Sequence, residues 1–176
     1  MAIDSARAGT SSRARALLSF PNPVNEVSAR LVAAGVVVMS VLTIAFDLRW
    51  ATIVIAYGFV ARVLTGPTLS PLGQFVTRVV TPRLGMAERP VAGPPKRFAQ
   101  GMGVAFSVTA LVLTGLGYWT AAEVFLGLLA AAAFLESAFG LCLGCKAFAV
   151  LMHVGVVPEE VCERCNDIWA THSAAA

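Results

Sequence analysis

Residues 101–119 read GMGVAFSVTALVLTGLGYW, an uninterrupted run without a charged side chain. A membrane-spanning helix needs about 20 consecutive apolar residues, with a range of about 17–25. In the whole chain of 176 residues, 57% are hydrophobic, only 13% are charged, and the mean hydropathy is +0.77. A soluble domain usually has about a quarter of its residues charged. The composition therefore indicates an integral membrane protein for which lipid is the main solvent.

The apolar run at residues 101–119 has counterparts elsewhere in the chain. Three further charge-free runs occur at residues 31–46, 51–61 and 124–135. We predict an all-α integral membrane protein with four transmembrane helices in two tight hairpins. The four predicted helices cover residues 28–46, 49–65, 99–118 and 121–142. The alternative, a soluble bundle with a very apolar core, is disfavoured because the chain has so few charges.

The four helices divide the chain into a membrane domain and two tails. The membrane domain covers residues 25–152 and includes a cytoplasmic middle segment at residues 66–98. Residues 1–24 are small, polar and basic, so we predict a disordered cytoplasmic tail. Residues 153–176 are predicted to form a C-terminal cytoplasmic helix followed by a tail.

A short interfacial helix is predicted within the middle segment, where the chain reads SPLGQFVTRVV at residues 70–80. Ser70 is the expected N-cap, Pro71 suits the first helical position, and Pro82 is expected to end the helix. The apolar side chains fall on one face, which is typical of a helix that lies on a membrane surface.

Basic residues indicate the orientation in the membrane. The two hairpin tips contain only Arg49, whereas the N-terminus, the middle segment and the C-terminal segment contain Arg7, Arg13, Arg15, Arg30, Arg78, Arg83, Arg89, Lys96, Arg97, Lys146 and Arg164. Positively charged loops stay in the cytoplasm. We therefore expect a multi-pass membrane protein with both termini and the middle segment in the cytoplasm. The net charge of +3 suits anionic lipid, and we expect no nucleic-acid partner.

Two charged residues lie inside the predicted membrane helices. RVLTG at residues 62–66 and ESAFG at residues 136–140 occupy matching places near the ends of the second and fourth helices. Arg62 and Glu136 are therefore expected at similar depth, and a charge in lipid usually has a partner or a water-filled cavity. We predict an intramembrane ion pair between them. In the alternative, each side chain extends separately to the headgroups.

The cysteines are confined to two Cys-x-x-Cys pairs near the C-terminus. FGLCLGC at residues 139–145 contains Cys142 and Cys145, and VCERC at residues 161–165 contains Cys162 and Cys165. On a continuous helix, residues three positions apart share a face. If the last helix folds back on the end of the fourth, the two pairs would meet, so we expect all four thiols to form one site.

Several segments of the chain resemble a known family. ARVLTGPTLSPLG, RFAQGMGVAF and especially ESAFGLCLGC, with its FGxCLGC motif, are similar to the bacterial membrane family known as domain of unknown function 4395. The resemblance covers roughly residues 22–167. It implies a four-helix protein of the bacterial inner (plasma) membrane with thiols, and it suggests thioredoxin-like or sulfurtransferase proteins as partners.

Zinc binding is one interpretation of the four cysteines. The pattern Cys-x2-Cys-x16-Cys-x2-Cys falls within the spacing of four-thiolate zinc sites, with Cys142, Cys145, Cys162 and Cys165 as the metal ligands. A reducing cytoplasm would keep these thiols free of disulfides. Against zinc, the first pair ends a predicted membrane helix, where a flexible metal-binding turn would be expected.

Redox or sulfur chemistry is the second interpretation. The negative end of the fourth helix should disfavour a thiolate at Cys142 and Cys145, and Lys146 offsets this only in part. Cys162 lies in the first turn of the predicted last helix, where the dipole favours the thiolate. These local effects indicate Cys162 as the nucleophile and Cys165 as its resolving partner.

A third interpretation treats the cysteines as small packed hydrophobic residues, but four of four in paired spacing is hard to obtain by chance. We therefore predict an inner-membrane thiol protein with a cytoplasm-facing double Cys-x-x-Cys site, which serves as a redox relay or in sulfur transfer with a soluble partner. The alternatives are a zinc-stabilised membrane scaffold or accessory subunit and a small oligomeric transporter. The sequence does not decide whether the protein is an enzyme, and a homo-oligomer stays open.

Overall fold

The computed structural model describes residues 24–85, 87 and 89–156. These residues form seven α-helices, one π-helical turn and a pair of two-residue antiparallel strands. In chain order the elements are β1 (Val24–Asn25), α1 (Glu26–Ala45), α2 (Ala51–Thr65), α3 (Pro71–Phe75), the π-helical turn (Val76–Val80), α4 (Thr81–Leu84), β2 (Pro90–Val91), α5 (Gly93–Gly115), α6 (Trp119–Phe139) and α7 (Leu143–His153). The predicted tail and C-terminal helix fall almost entirely in residues 1–23 and 157–176, outside the described residues.

Three of these helices are long and apolar enough to cross a membrane. They are α1, α5 and α6, with 20, 23 and 21 residues. The predicted second membrane helix corresponds to α2, which is apolar but has only 15 residues. At about 1.5 Å per residue it is shorter than a hydrocarbon core of about 30 Å. The all-α class and three membrane-length helices are thus confirmed.

The helices α1 and α2 pack on α5 and α6 more than on each other. α1 contacts α6, α2 contacts α5, and α5 contacts α6, whereas α1 and α2 barely touch. The shared core includes Val36, Ile55, Phe59, Ala110 and Leu126. Phe59 lies so close to α5 that a Cβ atom on Gly103 would be 2.2 Å from its ring. The small residue at position 103 therefore allows α2 and α5 to approach each other closely.

The middle segment forms a helix that changes from α-helical to π-helical geometry and back. Ser70 caps α3 as predicted, because its Oγ accepts a hydrogen bond from the Gly73 N–H at 3.2 Å. The prediction that Pro82 ends the helix is wrong, since α4 runs through it to Leu84. A proline ring clashes with the carbonyl four residues earlier, and the preceding π-helical turn widens the backbone at that point. The helix ends at Gly85 in a left-handed conformation (φ 57°).

The start of α5 also differs from the prediction. The helix begins at Gly93, six residues before the predicted start at residue 99. Pro94 and Pro95 occupy the first turn, where a proline costs no hydrogen bond because the N–H groups there have no partner within the helix. Lys96 therefore lies on the helix, and the residue is only 8% exposed, although it was predicted to belong to the cytoplasmic middle segment.

Candidate functional site

The helical structure is interrupted between α6 and the first cysteine pair. α6 ends at Phe139, and Gly140 follows in a left-handed conformation (φ 69°), which commonly terminates a helix. The Arg30 side chain of α1 donates hydrogen bonds to the carbonyls of Ser137 (3.1 and 3.2 Å) and Ala138 (3.0 Å). It thereby satisfies carbonyls that a helix end leaves without partners. The predicted continuous helix over residues 121–142 is therefore wrong.

Cys142 is the N-cap of a new helix. Its backbone is extended, and its Sγ accepts a hydrogen bond from the backbone N–H of Cys145 at 3.3 Å. The N-terminus of a helix carries partial positive charge and favours a thiolate. We expected the opposite effect at Cys142 because we placed it at the negative end of the fourth helix. Because α6 ends before Gly140, Cys142 lies instead at the positive end of α7.

The two thiols of this pair contact each other. The Cys145 thiol donates a hydrogen bond to Cys142 Sγ, with 2.7 Å between the sulfur atoms. Both cysteines are free thiols, Cys142 is buried, and Cys145 is half-buried. A disulfide requires a sulfur–sulfur distance of about 2.0 Å, so a small movement would connect them.

The surroundings of the pair give the two thiols different acidities. The hydrogen bond from Cys145 lowers the pKa of Cys142, whereas burial and the carboxylate of Glu136 raise it. The ammonium of Lys96 and the Cys145 N–H lower the pKa again, and the net shift is downward. The hydrogen bond to Cys142, together with burial, raises the pKa of Cys145 well above its ordinary value. Cys142 is therefore the thiol that ionises first.

A buried ion pair lies beside the thiols. Lys96 Nζ is 2.6 Å from Glu136 Oε1, and the two side chains are 10% and 17% exposed. Lys96 comes from the first turns of α5 and Glu136 from the last turn of α6. Charges removed from water need such a partner. Glu136 is thus paired, but with a residue that we had placed in the cytoplasmic middle segment.

The predicted ion pair between Arg62 and Glu136 does not form. Glu136 lies within electrostatic range of Arg62, but its carboxylate contacts Lys96. Arg62 instead donates a hydrogen bond from Nε to Gln100 Oε1 at 3.1 Å, and its guanidinium lies 4.3 Å from the centre of the Phe59 ring. Such cation–π contacts stabilise a desolvated arginine. The two residues thus lie near each other, but each has a different partner.

Close packing fixes α7 against α5. A Cβ atom on Gly144 would lie 2.5 Å from the Cα of Ala99, so only glycine allows this approach. Four residues later, the ring of Phe148 packs on Phe98 with 5.6 Å between the ring centres. These contacts place the beginning of α7, with its two cysteines, next to the turn of α5 that carries Lys96.

The second cysteine pair lies outside the described residues. The prediction that Cys162 and Cys165 join Cys142 and Cys145 in one site is therefore untested, whether as metal ligands or as redox partners. Within residues 24–85, 87 and 89–156, no group of three or more His, Cys, Asp or Glu side chains is arranged to hold a metal ion. Zinc binding by four thiolates stays a prediction.

Sequence reasoning missed Lys96 as a member of this site. The signal was the proline pair before it, because prolines are common in the first turn of a helix. A helix that starts at Gly93 places Lys96 three residues before Ala99 and four before Gln100, on the face that α7 and Arg62 contact.

Together, the fold and the thiol pair define a class of protein: all-α, with three helices of membrane length and a Cys-x-x-Cys motif at the start of a shorter helix. The chain belongs to the family described as Domain of unknown function (DUF4395), whose model matches residues 24–153. The family resemblance drawn from the sequence is thereby confirmed. Neither a curated protein nor a solved structure shows significant similarity to the chain.

Proposed function

We propose that this protein is a membrane-bound dithiol protein in which Cys142 is the nucleophile and Cys145 the resolving thiol. The observation that carries the proposal is the position of Cys142. It caps α7, accepts hydrogen bonds from the N–H and the thiol of Cys145, and lies in the field of Lys96. Each of these contacts favours a thiolate, which is the reactive form of cysteine. The partner would be a soluble protein with a disulfide or a persulfide, such as a thioredoxin-like protein or a sulfurtransferase.

Thiol–disulfide exchange at this pair would proceed in two steps. The thiolate of Cys142 attacks one sulfur of the partner's disulfide, which forms a mixed disulfide and releases the first partner thiol after it takes up a proton. Cys145 then loses its proton and attacks Cys142 Sγ, which releases the second partner thiol and leaves an intramolecular disulfide. Two electrons pass from the dithiol to the partner. A neutral Cys145 suits the second role, because it is held in contact with Cys142 without competing for the first attack.

Sulfur transfer uses the same geometry with a different partner. If the partner is a persulfide, the thiolate of Cys142 takes its terminal sulfur and releases the partner's thiolate. Cys145 then attacks Cys142 Sγ, so that the terminal sulfur leaves as hydrosulfide and the same disulfide forms. The two versions share Cys142 and Cys145 and differ in the group that is released.

The proposal is tested by counting thiols in the variant Cys162→Ser/Cys165→Ser, which retains only the described pair. Mild oxidation with oxidised glutathione should make both remaining thiols unavailable to an alkylating reagent, and a reductant should restore them. The matched control adds Cys145→Ser, in which a stable intramolecular disulfide cannot form. Thiols that stay free after oxidation would contradict the redox proposal. One zinc ion per wild-type chain, with all four thiols protected from alkylation, would identify the zinc-stabilised scaffold instead.

We further propose that α2 also enters the membrane, so that the chain crosses four times with both termini in the cytoplasm of a bacterium. The basic residues support this arrangement, since the loop between α1 and α2 and the loop between α5 and α6 contain only Arg49. A reporter fused to the C-terminus should behave as cytoplasmic, and one inserted at residue 48 as periplasmic. A periplasmic C-terminus would contradict the arrangement and place the cysteines in an oxidising compartment.

A further inference from the structure

A cleft lies between α1 and α2, which make few contacts with each other. α1 packs mainly on α6 and α2 on α5, and α3 contacts both α1 and α2 beside the gap. The cleft has a volume of about 310 Å³, and most of its wall is apolar, with contributions from Val36, Met39, Val54, Ile55, Gly58 and Phe75. This volume is at the lower end of the range of about 300–1,000 Å³ for small-molecule sites.

Arg62 provides the charge in this cleft. It lines the cavity although the residue is only 5% exposed. Its Nε is bonded to Gln100, and Phe59 covers one side of the guanidinium. Among the described residues, no acceptor is hydrogen-bonded to the two terminal nitrogens of Arg62, which carry four of the five donors of a guanidinium. A charged group inside a membrane usually has a partner or faces a cavity.

We propose that the cleft binds an anionic phospholipid, with the phosphate bonded to Arg62 and part of one acyl chain between α1 and α2. A guanidinium matches a phosphate with paired, charge-assisted hydrogen bonds. Arg62 lies in the last turn of α2, whereas Val54 lies about 12 Å further along the helix axis. The polar group and the apolar wall therefore follow each other in the same order as the head and chain of a lipid.

The location of the cleft also favours a lipid. Basic pockets between membrane helices on the cytoplasmic side are typical binding places of anionic headgroups. The end of α2 that carries Arg62 leads directly into the basic middle segment. This inference depends on the proposed membrane location of α2, and it is independent of the chemistry of Cys142 and Cys145.

Binding should be measured on the full-length protein in detergent by native mass spectrometry with phosphatidylglycerol and phosphatidylcholine. Phosphatidylglycerol should bind at a concentration about ten-fold lower, which corresponds to about 1.4 kcal/mol. Arg62→Met should remove this preference. Gly58→Leu should weaken binding of both lipids, because a Cβ at position 58 has open space around it and the added side chain would fill the cleft.

Two matched variants control for general effects. Arg78→Met removes one exposed positive charge from the same segment of the chain, and Gly127→Leu adds the same side chain on α6, where a Cβ also has open space. Both should bind phosphatidylglycerol like the wild type. Equal binding of the two lipids, or undiminished binding by Gly58→Leu, would overturn the proposal. Efficient competition by inorganic phosphate alone would show a site for a free anion and would overturn the lipid assignment. Because alkylation of Cys142 is a separate measurement, the failure of this inference leaves the thiol proposal in place.

Discussion

Cys142→Ser should abolish reaction with a disulfide partner almost completely, whereas Cys145→Ser should retain the first step and accumulate the mixed disulfide. The difference is expected because, of the two cysteines that the structure describes, Cys142 is the one whose sulfur lies at the helix N-terminus with two hydrogen-bond donors directed at it. In Cys145→Ser the serine hydroxyl can still donate to that sulfur, but it cannot displace the partner. The measurement is a non-reducing gel after reaction with a small aromatic disulfide, in the background Cys162→Ser/Cys165→Ser.

The pH dependence of this reaction provides an independent check. The rate follows the fraction of Cys142 present as thiolate, so it should fall as the pH drops below the pKa of Cys142. That pKa is lowered by the Cys145 thiol and, further, by Lys96. The midpoint of the alkylation rate of Cys142 should therefore lie at lower pH than that of Cys145, with each thiol measured separately by mass spectrometry in Cys162→Ser/Cys165→Ser, which retains both. If both midpoints coincide, or if Cys145 reacts first, the assignment of the nucleophile is wrong.

Gly144→Ala should destabilise the protein by about 1–3 kcal/mol, the usual cost of overpacking a close contact. The added Cβ would lie 2.5 Å from the backbone of Ala99, and a backbone atom cannot move aside as a flexible side chain can. α7 would have to shift away from α5, which would also separate Cys142 from Lys96. Thermal unfolding in detergent and the alkylation rate of Cys142 measure the two effects.

Gly101→Ala is the matched control for this prediction. Gly101 lies within α5, and a Cβ there would contact nothing within 4 Å. Alanine in a helix interior is more stable than glycine by about 0.5–1 kcal/mol, so the sign of the change in stability should be opposite to that of Gly144→Ala. Equal destabilisation by both substitutions would contradict the close contact between α7 and α5.

The long helices could be predicted because their signal is local and repeated. Apolar runs with few charges identify α1, α5 and α6 without knowledge of their neighbours, although only the run at residues 101–119 reaches the required length without its flanks. The end of α6 was missed because FGLCLGC stays apolar through the break, and nothing in the sequence distinguishes Gly140, which has a positive φ, from Gly144, which packs against α5. This one error reversed the expected effect of the helix dipole on Cys142.

The ion pair shows a second limit of prediction from the sequence. The matching positions of Arg62 and Glu136 in the sequence predicted that they lie at similar depth, but residues at similar depth need not contact each other. Glu136 pairs instead with Lys96, whose location depends on where α5 begins. The spacing of the cysteines indicated a thiol site, but their orientation came from the contact of Gly144 with Ala99, which no local pattern encodes.

The hydrogen bonds of Arg30 to the end of α6 determine when the thiol site can exist during synthesis. Arg30 and Ser137 are 107 residues apart in the chain, so the ribosome completes α1 long before α6 is made. Until α6 has been synthesised, the carbonyls that Arg30 bonds are absent and the turn before Cys142 has no support from α1. Such a long-range contact forms late, because the intervening chain must first be ordered. A chain that stalls before α6 would therefore contain Lys96 without the carboxylate of Glu136 that pairs with it in the complete fold.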